Sequence, residues 1–268
     1  MKTSTESAKY GVISIATKGY IDYWKRMAIS FDEQLTSGRS VVFHVYTDQP
    51  AKVFELSKEL NFSDVCIHQI ESLGWPEATL LRYAIFSGDW GDVSEEIVIY
   101  LDADMLARVD LTQRFDEHLH QSRINLVSHP GFYRPSNLLN RVVFYSMNPR
   151  FLVADLRMYL SIGGIGAWET RKISLAFVPR SKRKHYVCGG IWAGPNGLMK
   201  SLIQKLATNV ETDMNNDVMA RWHDESHLNW WASQESFNLL KPMFCHEKKY
   251  PQLKSLIPFV TAVDKHEK

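Results

Sequence analysis

Residues 95 to 111, EEIVIYLDADMLARVDL, constrain this chain more than any other stretch. Ile97, Val98, Ile99, Tyr100 and Leu101 form a short continuous apolar run rich in β-branched residues. Such a run marks a strand buried on both faces of a sheet. It stops abruptly at Asp102-Ala103-Asp104. Carboxylates at i and i+2 of one strand point the same way, and ligands of open α/β sheets bind outside the carboxyl ends of the strands. Mg²⁺ or Mn²⁺ joins one or two such carboxylates to substrate phosphates. The pattern therefore carries two readings: a metal–diphosphate site, or a polar strand end whose Asp residues turn the chain.

The sequence before this run predicts the sheet. Val12 to Ala16 reads as a strand, and Ile21, Trp24, Met27, Phe31 and Leu35 follow at helical spacings of three and four. Val41 to Thr47 reads as a second strand, residues 52 to 60 as helical, and Val65 to Ile70 as a third strand. Strand, helix and strand in this order predict an α/β fold with a parallel sheet. Tyr20 follows the first strand, where an aromatic ring either joins the core or stacks on a base; the pattern favours the core. Arg82 lies in a predicted helix from about Thr79 to Phe86, among Leu80, Leu81, Tyr83, Ile85 and Phe86. An Arg there either snorkels to the surface or clamps an anion, and the surface is the commoner outcome.

Past the acidic pair, Leu126 to Ser128 reads as a strand, followed by His129-Pro130-Gly131-Phe132-Tyr133. Residues 134 to 175 hold two hydrophobic stretches and predict one or two helices of a subdomain or lid. The basic run Arg180 to His185 reads as a solvated loop, or as a mobile segment closing over an anion. Gly189 and Gly190 interrupt a strand-like stretch, which marks close approach by a ligand or another backbone. Leu198 to Val210 predicts a helix with Leu198, Leu202, Leu206 and Val210 on one stripe. The stretch Trp222 to Asn229, WHDESHLN, supports three readings. One is a helix start with Asp224 as N-cap and Glu225 favouring the dipole. The second is a zinc site through His223 and His227, which lacks a third ligand. The third sets sugar hydroxyls against carboxylates and the Trp222 ring, with one carboxylate close to the reacting carbon.

Composition excludes some classes. With 31 basic and 30 acidic residues the net charge is +1, which does not suit a general nucleic-acid binder. Cys66, Cys188 and Cys245 are widely spaced, arguing for a reducing compartment and against a disulfide framework. No apolar leader or span-length apolar run occurs, so the expectation is a soluble, cytoplasmic protein.

The stretches YTDQP (46 to 50), YLDADM (100 to 105), HPGFY (129 to 133), AFVP (176 to 179), YVCGGIWAG (186 to 194) and WHDESHLN (222 to 229) occur in this order. Together they resemble the retaining α-1,3-glycosyltransferases of glycosyltransferase family 6. The resemblance runs from about Val12 to Lys265. It implies one GT-A domain over 10 to 268, with a nucleotide-binding half to about 111, an acceptor half to about 250 and a closing tail. It also implies a UDP-sugar donor, a β-galactoside acceptor (lactose, N-acetyllactosamine or a fucosylated galactose) and Mn²⁺, with Mg²⁺ as an alternative.

By position, Tyr20 would stack on uracil, with Ile15, Ala16 and Thr17 lining the base and ribose. Asp102 and Asp104, with Ala103 between them, would hold the metal against the diphosphate, Arg82 would lie near the donor sugar, and Lys265 would reach the diphosphate. Trp222, Asp224, Glu225, His129 and Glu247 would shape the donor-sugar and acceptor sites. Glu225 would be the nucleophile, or the charge that steadies an oxocarbenium-like transition state. Cys188, Gly189 and Gly190, with Gly131, would adjoin the donor sugar, and their small size implies room for N-acetylgalactosamine. Three departures stand out: no membrane anchor or stem, which implies a soluble microbial or viral form; a long segment after Tyr133; and Glu247 where the family has Asp. The competing expectations are a glycogenin-like GT-A transferase of another family and a carbohydrate-binding protein without catalysis.

Overall fold

The computed structural model describes residues 10–35, 41–60, 63–74 and 76–263. The first half runs β1 (Tyr10–Ile15), α1 (Tyr20–Gln34), β2 (Val41–Thr47), α2 (Pro50–Ser57), β3 (Asp64–Gln69), α3 (Glu77–Leu80), α4 (Arg82–Gly88) and β4 (Ile97–Leu101). Next come β5 (Met105–Ala107), α5 (Leu111–His118), β6 (Asn125–Ser128), and the helical pair α6 (Leu138–Met147) and α7 (Pro149–Ser161). The chain then forms β7 (Val187–Pro195), α8 (Asn196–Asn215), α9 (His223–Ala232), β8 (Asn238–Leu240) and β9 (Val260–Ala262).

The main sheet has seven strands in the order β3-β2-β1-β4-β7-β6-β8. β1 to β4 are mutually parallel, and β7 runs antiparallel to both β4 and β6. All five residues of β4 are buried, as the apolar run requires. Their alternation splits the interior in two. Ile97, Ile99 and Leu101 pack in one core with Trp24, Met27 and Phe31 of α1. Val98 and Tyr100 face the opposite core, with Phe86 of α4 and Leu202, Ile203 and Leu206 of α8. A buried side chain of this kind stabilises the fold by about 1.5–3 kcal/mol relative to exposure. This mixed α/β architecture is consistent with the GT-A expectation.

Local readings shift or sharpen in four places. The helix expected near residues 79 to 86 breaks at Leu81, so Arg82 opens a new helix. In α8 the buried stripe is Met199, Leu202, Ile203, Leu206 and Val210, whereas Leu198 is 43% exposed. The segment after Tyr133 is a two-helix hairpin rooted by buried Asp155, which takes both Arg134 Nε (2.6 Å) and Nη2 (2.7 Å). The basic run is not a loop closing over an anion. Arg180 donates to the Tyr159 and Leu160 carbonyls and Arg183 to that of Ile162, so both satisfy the C-terminal end of α7. No described helix is long and apolar enough to cross a membrane.

A polar chain is buried against β1. Glu95 Oε2 lies 3.0 Å from His44 Nε2, and His44 Nδ1 lies 3.1 Å from His68 Nε2. Gly11 makes room for it, because a Cβ there would stand 2.6 Å from Glu95 Oε2. Gly11→Ala is therefore expected to destabilise the protein by about 1–3 kcal/mol through overpacking. Gly197, in the first turn of α8, has nothing within 4 Å of a built Cβ, so Gly197→Ala should be neutral or mildly stabilising. Chemical denaturation of the two variants checks the contrast, and equal stabilities would contradict it.

Candidate active site

The acidic pair lies at the carboxyl end of β4, but in a turn and not along one strand. Asp102 N donates to Gly190 O (2.9 Å), and Met105 N donates to Asp102 O (3.1 Å). The Asp102 carboxylate accepts from the Tyr100 hydroxyl and lies 3.4 Å from Arg82 Nη2. Asp104 is buried, and its carbonyl accepts from Val263 N (2.9 Å).

Arg82 is buried, contrary to the surface reading. Its Nη1 lies 3.1 Å from Asp224 Oδ2 and donates to Gly189 O (3.2 Å), and its guanidinium carbon lies 4.9 Å from the Tyr100 ring centroid. Burial would lower its pKa, but Asp224, Tyr100 and Asp102 outweigh that and hold it firmly cationic. Asp224 is thus Arg82's partner in the first turn of α9, and not the N-cap, a position held by Trp222.

Glu225 is the next residue of that turn. Its Oε1 accepts from the Tyr186 hydroxyl (2.7 Å) and its Oε2 from Gly189 N (2.9 Å). Burial, with Asp102 nearby, pushes its pKa up to about 7 despite both hydrogen bonds. Asp224 is raised too, because burial and two neighbouring carboxylates outweigh Arg82. The glycines explain how these groups fit. A Cβ at Gly189 would stand 3.3 Å from both Asp224 Oδ2 and Glu225 Cβ; one at Gly190 would stand 2.7 Å from Met105 Cε and 2.9 Å from Asp102 Oδ2. The space beside Gly131 is filled likewise, with the Tyr250 ring 3.1 Å from a built Cβ. A Cβ at any of these glycines would meet protein side chains before it met free volume.

Two cavities meet at the acidic pair. The smaller, about 410 Å³, is lined by Ile15, Thr17, Tyr20, Arg82, Ala103 and both Asp residues. Tyr20 is 43% exposed at the start of α1, not in the core, whereas Ala16 is buried beneath the cavity. The larger, about 600 Å³, is lined by His129, Cys188, Gly190, Glu225 and Glu247, again with Asp102 and Asp104. His129 Nδ1 accepts from Gly131 N (3.0 Å), and burial lowers its pKa to about 4, so at neutral pH the ring is uncharged with its proton on Nε2. Trp222 is half exposed and lines neither cavity. Lys265 lies outside the described residues.

The zinc reading fails. His227 is buried 3.5 Å from Asp213, His223 has φ 43° at the start of α9, and among the described residues no three His, Cys, Asp or Glu side chains are placed to hold a metal ion together. Two hard oxygen donors at the junction of two cavities suit a divalent cation whose remaining ligands are phosphate oxygens. The sequence reading missed Tyr186, although a strand period of two puts it on the same face as Cys188. It also missed the basic wall of the larger cavity, formed by Arg26, Arg108, Lys248 and Lys249.

The Glycosyltransferase family 6 model matches residues 143–268, a span that includes the glycine pair and the α9 carboxylates. Histo-blood group ABO system transferase 1 of Rattus norvegicus is 22% identical over 98% of this chain and 68% of its own length. Globoside alpha-1,3-N-acetylgalactosaminyltransferase 1 of Homo sapiens is 23% identical over 92% of this chain and 63% of its own. O-antigen biosynthesis glycosyltransferase WbnI of Escherichia coli is 22% identical over 91% of this chain and 90% of its own. The family match and these relatives, all named as transferases, support a glycosyltransferase family 6 member that carries out glycosyl transfer.

Proposed function

We propose that the chain transfers N-acetylgalactosamine, with galactose as the weaker donor sugar, from a UDP-sugar to the 3-hydroxyl of a β-galactoside, with retention of anomeric configuration. The supporting observation is that Asp102 and Asp104 line both cavities while Glu225 lines the larger one. In this reading UDP occupies the smaller cavity with its base against Tyr20, and the diphosphate lies at the acidic pair. The donor sugar and acceptor share the larger cavity with His129, Cys188 and Glu247. Asp102 and Asp104 are the residues that would hold Mn²⁺, or Mg²⁺. The ion would supply Lewis acidity to the leaving diphosphate.

Glu225 faces the reacting carbon as nucleophile, or as the anion that steadies positive charge there. Gly189 N–H and the Tyr186 hydroxyl each hold one of its oxygens, which fixes the carboxylate's aim. The preference for N-acetylgalactosamine rests on small Cys188 in the cavity wall and on the human relative's name, not on free space at Gly190. The match to the Glycosyltransferase family 6 model favours this reading over the glycogenin-like alternative.

Four outcomes are expected. Glu225→Gln should lower kcat by about a thousandfold or more while leaving UDP affinity within a few-fold. Because the folded pKa of Glu225, about 7, exceeds the ordinary carboxyl value of 4.5, its contribution to stability is full below pH 4.5 and is lost as pH rises to 7. Glu225→Gln should therefore stabilise the protein by about 2–3 kcal/mol above pH 7 and by little near pH 4. Denaturation at both pH values reads this, and a loss of stability at both would mark Glu225 as structural. Asp104→Asn should lower the rate by about a thousandfold and abolish Mn²⁺-dependent UDP binding by calorimetry; full activity in excess EDTA would contradict the metal assignment. The ratio of kcat/KM for UDP-N-acetylgalactosamine to UDP-galactose on one acceptor should favour the former by about 1–3 kcal/mol, and a preference for UDP-galactose would reverse the donor assignment.

A further inference from the structure

The hairpin of α6 and α7 does not bury its apolar side chains. Of the 20 large hydrophobic residues exposed among those described, ten lie on these two helices. Leu138, Leu139, Met147 and Leu160 are 73–79% exposed. Helix α6 has no buried residue, and α7 buries only Asp155. A contiguous apolar surface on a folded chain marks a contact site.

The charge on the hairpin and the chain flanking it is one-sided. Residues 134 to 185 hold ten Lys and Arg against two Asp and Glu, a net charge of +8 on a chain whose total is +1. Both acids are buried and already paired, Asp155 with Arg134 and Glu169 with Arg171. Arg141, Arg150 and Arg157 stand exposed among the exposed Leu and Val residues. A second copy of this face would bring like charges together. An anionic lipid surface satisfies both halves of the pattern, since apolar side chains enter the acyl boundary while Lys and Arg meet the headgroups.

The hairpin is also rooted beside the larger cavity. Arg134, which holds Asp155, donates to Tyr133 O (2.7 Å) at the end of the His129–Tyr133 segment, and His129 lines that cavity. We propose that the α6–α7 hairpin docks on an anionic membrane surface. Resting on the transferase reading above, it would present the larger cavity to acceptors carried on lipid.

The test is co-sedimentation of the full chain with phosphatidylcholine vesicles, with and without phosphatidylglycerol, at low and high salt. Binding should be at least about tenfold tighter to the anionic vesicles and should weaken with salt. Leu139→Glu with Leu160→Glu, and separately Arg141→Glu with Arg150→Glu, should each weaken it by about tenfold or more. Both pairs should leave the melting temperature and activity on a soluble β-galactoside unchanged. Absence of vesicle binding, or binding indifferent to both pairs, would overturn the docking assignment. So would a concentration-dependent dimer in sedimentation velocity that the Leu pair abolishes. Activity on the soluble acceptor is read separately, so a failed transferase reading and a failed docking assignment give different results.

Discussion

The site depends on one buried cation. Arg82 stays charged in the interior because a guanidinium holds its proton even when desolvated, and its planar fork reaches several acceptors at once. It joins Asp102 after β4, the Gly189 carbonyl on β7 and Asp224 on α9. Without it, buried Asp224 would stand against half-buried Asp102 and Glu225 with no compensating charge. Breaking a buried pair in this way costs about 3–5 kcal/mol. The same crowding leaves no space for side chains at the glycine pair, because the carboxylates occupy the volume where a Cβ would stand.

Arg82 offsets that negative charge only in part. Glu225 and Asp224 both hold their protons more tightly than free carboxylic acids, with burial as the main cause. The first turn of α9 is therefore poorly suited to stability and well suited to chemistry on a developing cation. Tyr186 and Gly189 hold Glu225 in one orientation in spite of this, so the carboxylate does not relax towards water.

What the sequence revealed was mostly local. The β4 run, the α1 stripe and the acidic pair at a strand end follow from period and burial within a few residues. Arg82 and Tyr20 were misjudged for one reason: their surroundings come from distant segments. Asp224 and Gly189 bury Arg82, and the cavity beside the Asp102 turn leaves Tyr20 at a rim. The pattern puts the acidic pair on one strand because the turn closed by the hydrogen bond from Met105 N to Asp102 O has no sequence signature. The exposure of the α6–α7 hairpin was equally illegible, since a helix that packs and one that does not can share the same apolar content.

The backbone bond from Asp102 N to Gly190 O has a mechanical consequence. It stitches the floor of one cavity to the wall of the other, and the antiparallel ladder of β4 with β7 continues that seam through the sheet. The two halves of the site cannot hinge apart along this line without breaking sheet hydrogen bonds. Adjustment to ligands of different size must therefore come from the periphery, where Tyr20 and Glu247 lie outside the seam. The chain works as a stiff cradle with movable edges.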